Sequence, residues 1–250
     1  MNIDYDHSQN RHTISGPRAA IPLIFPDAKP QSLLDVGCGM GTWLKAAQES
    51  GIADVFGVDG IAIPPDRLLI SRSCFRLQDL TRPWNLGRKF EVVLCLEVAE
   101  HLDEQFAGVL IDALVTHSDC VVFSAACPGQ EGQHHVNCQW PDYWQGLFND
   151  RGFVCADELR WRIWQDERVE PWYRQNIFIA RRAEAGLAGR EPRLKSAVHP
   201  DNIAGIVNTN IARHNHFVQA GGMPFKWYLK LPFSVLTGRL RRMVGTKKEG

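Results

Sequence analysis

The 250-residue chain has no run of about 18 apolar residues, so nothing in it reads as a membrane-spanning helix. Its opening stretch, MNIDYDHSQNRH, is polar and lacks the apolar segment of a secretory signal. None of its seven cysteines (Cys38, Cys74, Cys95, Cys120, Cys127, Cys138, Cys155) forms a C-x-x-C pair. An odd number of thiols without metal-ligand spacing favours a reducing compartment, and a cytoplasmic location is the expectation. No internal repeat is visible. Charge of one sign is also missing overall, with 28 Lys/Arg against 28 Asp/Glu. The balance is uneven along the chain, however. From Glu184 onward there are eleven Lys/Arg and four Asp/Glu, which leaves −7 on the first 183 residues. Phosphate contacts need basic surface, so an acidic body makes nucleic acid an unsuitable acceptor.

What is present is a rhythm. With 44% hydrophobic residues the chain can bury a full core. Between residues 31 and 182, short apolar runs alternate with helix-like spacing. SLLDVG, DVFGVD, CFRLQD, FEVVLCLE, DCVVFSAA, FVCADEL and RQNIFIARR read as seven strands. TWLKAAQES, LDEQFAGVLIDALVTH and PDYWQGLFNDRG read as helices, the first stopped by Gly51. Such alternation implies a mainly parallel sheet covered on both faces. In that architecture ligands bind beyond the C-terminal strand ends, near the switch point of strand order.

Three glycines stand at that point, in Gly37-Cys38-Gly39-Met40-Gly41. A dinucleotide fingerprint, G-x-G-x-x-G, would place its last glycine at 42, where Thr42 stands; a nicotinamide oxidoreductase is disfavoured on that ground. Asp35 precedes the turn. A buried carboxylate there repels a pyrophosphate and suits a ligand bearing ammonium and sulfonium charges. Asp59 ends the second strand, where a carboxylate can accept from ribose hydroxyls, and Asp79 follows the third, where it can accept from an adenine amine. With this ordered set the chain resembles the class I S-adenosylmethionine-dependent methyltransferases. The resemblance implies a Rossmann-like three-layer α/β/α fold with a seven-stranded, mostly parallel sheet of order 3-2-1-4-5-7-6. It also implies S-adenosylmethionine as cofactor, with the Gly37–Gly41 loop (Gly37, Cys38, Gly39, Gly41) around its methionine part, Asp59 at the ribose and Asp79 at the adenine; Asp35, Gly60, Leu80 and Leu96 are further candidate cofactor contacts.

The acceptor side follows the fourth and fifth strands. EVAEHL puts Glu97, Glu100 and His101 at the mouth of the fourth, and CPGQEGQHHVNCQWPDYW puts His134, His135, Asn137, Trp140 and Tyr143 in a loop that can reach over it. Methyl transfer to a hydroxyl needs alignment and a proton acceptor. His101, His134 and His135 are the candidate bases, with Glu97 and Glu100 as orienting carboxylates. His101 has the alternative of merely starting a helix. Asn137, Trp140 and Tyr143 are candidate substrate contacts, while Trp144 reads as core. PGQEGQHHVNCQWPDYWQGLF and WRIWQDERVEPWYRQNIFI resemble a narrower methyltransferase-domain group associated with modified sugars and secondary metabolites. A small-molecule or glycan acceptor methylated on oxygen is the expectation.

Two alternatives stay open. Glu97-x-x-Glu100-His101 with His134 or His135 resembles the metal site of small-RNA 3′-end methyltransferases, which would hold Mg²⁺ or Mn²⁺; a metal-free site is favoured. A catalytically silent regulatory protein that binds S-adenosylmethionine is the other. No N/D-P-P-Y/F element follows the fourth strand, and Cys127-Pro128 reverses the order of a cytosine C5 nucleophile, so Cys127 is read as structural.

Three regions are expected: an N-terminal lid or extension (1–30), in which Tyr5 and His7 are candidate cofactor-side residues; the methyltransferase domain (31–182); and a basic C-terminal extension (183–250). The extension is read as packed on its own core, with peripheral contact to an anionic membrane as the alternative.

Overall fold

The computed structural model of the chain describes residues 5–7, 13–230, 232 and 234. A seven-stranded sheet with order β3-β2-β1-β4-β5-β7-β6 forms its centre. The strands are β1 (Ser32–Val36), β2 (Asp54–Asp59), β3 (Phe75–Leu77), β4 (Val92–Leu96), β5 (Cys120–Ser124), β6 (Phe153–Ala156) and β7 (Phe178–Arg182). All neighbours pair parallel except β7, which runs antiparallel to both β5 and β6.

Period-two alternation sends successive side chains to opposite faces. In β4, Val93 and Cys95 join one apolar layer, while Val92, Leu94 and Leu96 join the other. Helices α3 (Ala107–His117) and α4 (Pro141–Asn149) cover the first face through Leu110, Leu114, Trp144 and Phe148. Helices α1 (Ser15–Ile24), α2 (Thr42–Glu49) and α5 (Glu158–Ile163) cover the second through Ile21, Leu44 and Leu159. With both faces covered, β4 is apolar and buried at every position. Gly51, with φ 102°, ends α2 in a left-handed turn in which Ile52 N–H returns to Ala47 C=O at 3.0 Å.

The structure departs from the sequence reading in places. The third strand is only Phe75–Leu77. The helix expected from Leu102 begins at Ala107, because short 3₁₀ turns occupy Ala99–His101 and Glu104–Phe106. The sixth strand stops at Ala156, and Glu158 and Leu159 open α5. There Leu159 and Ile163, one helical turn apart, bury on the α1/α2 face, so tertiary burial overrides the apparent strand pattern. A short helix α6 (Pro171–Asn176) leads into β7, with Pro171 in its first turn.

Domain limits differ as well. Ala20, Ile21 and Ile24 of α1 are core residues. Beyond Arg182 the chain keeps its grip on the sheet. Glu191 Oε1 accepts hydrogen bonds from Gln145 Nε2 (3.0 Å), Asn149 Nδ2 (2.6 Å) and Cys155 N–H (3.0 Å), and Leu194 is buried. Buried Arg160 donates to Lys195 C=O at 2.7 Å. The first compact unit therefore runs to Ile203 rather than ending near 182, and the second spans Ala204–Gly250. Helix α7 (Pro200–Gln219) enters the second unit, where a helical turn at 225–230 follows. In that turn the Tyr228 hydroxyl donates to Val218 C=O at 2.5 Å and accepts from Met223 N–H at 3.1 Å. Phe225 and Leu229 of the same turn are 75% and 56% exposed. Among the described residues no helix is long and apolar enough to cross a membrane.

Phe123 on β5 is fully buried, with ring centroids of Trp144, Phe148 and Phe178 at 5.3, 5.5 and 5.3 Å. Phe123→Ala is expected to lower the unfolding free energy by about 3–5 kcal/mol, read as a lower urea midpoint at unchanged slope. A loss below about 1 kcal/mol would contradict this packing.

Candidate active site

The turn after β1 lies against the end of β2. Gly37 and Cys38 N–H groups both donate to Val58 C=O, at 2.8 and 3.1 Å, and Gly41 N–H donates to Cys38 C=O at 2.8 Å. Gly37, Gly39 and Gly41 all have positive φ (78°, 51° and 82°), which side-chain-bearing residues rarely adopt. At Gly37 space matters too, because an added Cβ would collide with Val98. Cys38 is buried, its sulfur against the bare face of Gly57, and burial pushes its thiol well up; it is a packing residue.

Asp59 ties the two strand ends together. Its Oδ2 accepts from Gly39 N–H and its Oδ1 from Ile61 N–H, each at 2.8 Å. His7 Nε2 lies 3.6 Å from Oδ1. Asp35, at the end of β1, is 3% exposed, and its Oδ2 has no hydrogen-bond partner among the described residues. Burial first, and the charge of Asp59 second, raise its carboxyl to about 8.

A cleft opens here. Gly37, Asp59, Gly60, Ile61 and Leu80 form one side. Glu97, Val98, His101 and Leu102 form the facing side, and Tyr5 and His7 of the N-terminal segment complete the wall. Tyr5 meets the His101 ring edge-on at 4.7 Å and the His7 ring at 5.0 Å. The residues present fit a nucleoside carrying positive charge on sulfur. They offer a backbone turn without side chains, an acid with an orphaned oxygen behind it, and a carboxylate at the next strand end.

Asp79 is placed differently from Leu80, which enters the cleft wall. Its Oδ1 accepts from the Thr81 hydroxyl (2.6 Å) and Thr81 N–H (2.9 Å), and Arg82 Nε lies 3.6 Å from Oδ2. The Thr81 hydroxyl bond holds the Asp79 carboxyl below its usual range. Leu96, 6% exposed at the end of β4, is in the core layer.

Glu97 follows β4 in a left-handed conformation (φ 54°) that a non-glycine residue adopts only when its surroundings enforce it. Its N–H donates to Ser124 C=O at 3.0 Å. Three amides hold or extend its carboxylate network. Gln130 Nε2 donates to Oε2 at 2.7 Å, and Asn176 Nδ2 to Oε1 at 3.1 Å. Gln175 Nε2 donates to the Asn176 Oδ1 at 3.0 Å. Burial raises the Glu97 carboxyl to about 7, against the pull of the Asn176, Ser124 and Gln130 hydrogen bonds. Glu100 is wholly buried, and among the described residues neither carboxyl oxygen has a hydrogen-bond partner of good geometry; burial, then the neighbouring Glu97 charge, raise it well above the usual range.

The structure separates the two loop histidines. His135 lies against His101, ring centroids 5.0 Å apart, with its Nδ1 3.0 Å from Gln130 C=O. His134 is exposed, with φ 50°. Glu100, His101 and His135 bring one ligand atom each to within 4.8 Å of one another. Burial, then His135, lower His101 to about 4, and burial also lowers His135. The loop is held by Val136 and Asn137 N–H groups, which donate to Glu100 C=O at 2.9 and 3.0 Å. Asn137 is 3% exposed, with Nδ2 lacking a partner among the described residues. Trp140 and Tyr143 stand at the start of α4, outside this cleft's wall, and Trp144 is core as expected. Cys127 is buried, accepts from Gln175 Nε2 at 3.0 Å and is pushed up to about 11 by burial, as a structural thiol should be. Sequence reasoning missed Gln130, Gln175 and Asn176. The available signal was the antiparallel β7, whose first residues must lie at the C-terminal edge of β5.

Sheet order, covering layers and the glycine turn closed by an acidic strand end define a class I methyltransferase domain, the class whose methyl donor is S-adenosylmethionine. Residues 7–119 match the family described as "Methyltransferase domain", so this part of the chain is a methyltransferase domain. Several solved structures are similar in outline. Magnesium protoporphyrin IX methyltransferase from Synechocystis PCC 6803, with bound SAM, is 22% identical over 68% of this chain and 78% of its own, TM-score 0.47. DesVI from Streptomyces venezuelae is 16% identical over 68% and 90%, TM-score 0.47. The DhpI–SAH complex is 17% identical over 72% and 100%, TM-score 0.49. No curated protein matches the chain.

The Asp35 carboxyl makes a pH prediction for the ligand-free protein. It is raised from 3.8 to about 8, so it stays protonated in the fold while the unfolded chain ionises. Its contribution is full below pH 3.8 and is lost as pH rises towards 8. Asp35→Asn is expected to reduce the fall of the thermal midpoint across that window. An identical profile would place the carboxyl in water.

Proposed function

We propose that this methyltransferase transfers the methyl group of S-adenosylmethionine to a hydroxyl of a small molecule or sugar. The observation that carries the reading is one cleft whose two sides are the glycine turn with Asp59 and the Glu97–His101 mouth. The cofactor supplies an electrophilic methyl on a cationic sulfur. The chain's own work is alignment and proton acceptance. Gly37 and Gly39 present backbone rather than side chains, Asp35 places an unpartnered acceptor oxygen behind the turn, and Asp59 holds both loops in register. Glu97, kept in place by Gln130 and Asn176, orients the acceptor or takes its proton. His101, neutral at physiological pH, offers a ring nitrogen beside it. Asn137, Trp140 and Tyr143 remain proposed contacts for the acceptor, Asp79 for the adenine and Leu96 for the cofactor.

A second reading rests on the convergence of Glu100, His101 and His135. A histidine held near 4 is a weak proton acceptor for a hydroxyl, yet a neutral imidazole beside a carboxylate is a suitable donor set for Mg²⁺ or Mn²⁺. In that reading the metal lowers the pKa of the acceptor hydroxyl.

Transfer of labelled methyl to a panel of sugars, phenols and polyols tests the main reading. His101→Ala is expected to reduce kcat by about 10²-fold or more with the cofactor Kd nearly unchanged, and His134→Ala to leave both near wild type. Loss of turnover in excess chelator, restored by Mn²⁺ and abolished by His135→Ala, would establish the metal reading over the metal-free one. Tight cofactor binding with no transfer to any acceptor would instead mark a catalytically silent binding protein.

A further inference from the structure

The charges of the chain divide at the boundary between its two units. Residues 204–250 carry eight Lys/Arg and one Asp/Glu, a net +7, and residues 1–203 carry the opposite −7. The second unit also exposes large apolar side chains that a water-facing helix ordinarily lacks. Val207 and Ile211, one helical turn apart on α7, are 47% and 53% exposed. Phe225 and Leu229 repeat that spacing on the following turn, at 75% and 56% exposed, and each is followed directly by an exposed lysine, Lys226 and Lys230. Trp227 and Tyr228, amphipathic rings suited to a lipid–water boundary, lie between them, half-buried. In the sequence the same mixture continues: Leu231, Phe233 and Leu236, then Arg239, Arg241 and Arg242.

We infer that the second unit is a lipid-contacting module that docks the methyltransferase on an anionic membrane surface. Apolar residues next to cations enter the headgroup boundary while lysine and arginine meet anionic headgroups. The apolar part matches lipid better than it matches a nucleic-acid backbone, which offers charge but no hydrocarbon. A face-to-face pairing with a second copy would bring +7 against +7. The acidic first unit is repelled by the same surface, so the charge division also orients the molecule, with attraction confined to the second unit.

Co-sedimentation of the full chain with vesicles tests the inference. Phosphatidylcholine vesicles serve as the neutral arm, and vesicles containing added phosphatidylglycerol as the anionic arm. Wild type is expected to partition to the anionic vesicles and to lose most of that partition at about 0.5 M salt. Phe225→Ser/Leu229→Ser and Lys226→Gln/Lys230→Gln are each expected to weaken the partition coefficient by about tenfold or more. Both should keep the wild-type thermal midpoint and cofactor affinity, since none of these residues is in the cleft. Equal partition to neutral and anionic vesicles, or unchanged partition of both double variants, would overturn the inference. So would a Phe225→Ser/Leu229→Ser variant whose only change is from dimer to monomer in light scattering, or tighter binding to single-stranded RNA than to anionic vesicles.

Discussion

One carboxylate holds together the two turns that form one side of the cleft. Asp59 accepts one hydrogen bond from the turn after β1, at Gly39, and one from the turn after β2, at Ile61. Each oxygen keeps acceptor capacity towards the cleft, because a carboxylate oxygen has two lone pairs. The clamp works only if the backbone of 37–41 can follow a left-handed path, which restricts 37, 39 and 41 to glycine, and only if nothing fills the space that Val98 occupies beside Gly37. Geometry and electrostatics are then linked, since the same compactness that shapes the turn buries Asp35 behind it.

Facing that clamp is a group of acids and imidazoles kept from water. Glu97 and Glu100 are three residues apart at the end of β4, and both carboxyls are raised. They are not equivalent. Glu97 has amide donors that favour its ionised form, whereas among the described residues the oxygens of Glu100 lack good donors, so its ionisation carries a cost that a cation would relieve. His101 and His135 lean towards the neutral state for the same reason, burial. The site thus combines one supported acid with one unsupported acid, and the unsupported one shares its surroundings with two neutral imidazoles.

Much of the fold was readable from local pattern. The short apolar runs SLLDV and VVLCL marked β1 and β4, and Gly51 marked the end of α2. Trp144 read as core because its helix needs an apolar stripe. The misreadings share a cause. FVCADEL looks like one strand, but Leu159 is claimed by a helix that packs beside α1, and local propensity carries no information about that neighbour. Similarly, RRAEAGLAGREPRLKS has linker composition, yet Glu191 is bound by three donors from α4 and β6. Composition reports solubility of a segment, not whether a single acid in it finds partners.

What the sequence by itself determined is the set of positions where chemistry dictates the residue: glycines where φ must be positive, an acid at each of two adjacent strand ends, continuous apolar runs where a sheet is covered on both sides. Each is a constraint within a few residues, so it leaves a local mark. Only the tertiary structure decided which of His134 and His135 meets His101, and that Gln130 and Asn176, 33 and 79 residues away, support Glu97. Those contacts arise where an antiparallel strand and a long loop return to the end of β4. Such a return is a property of the closed sheet and of no shorter segment.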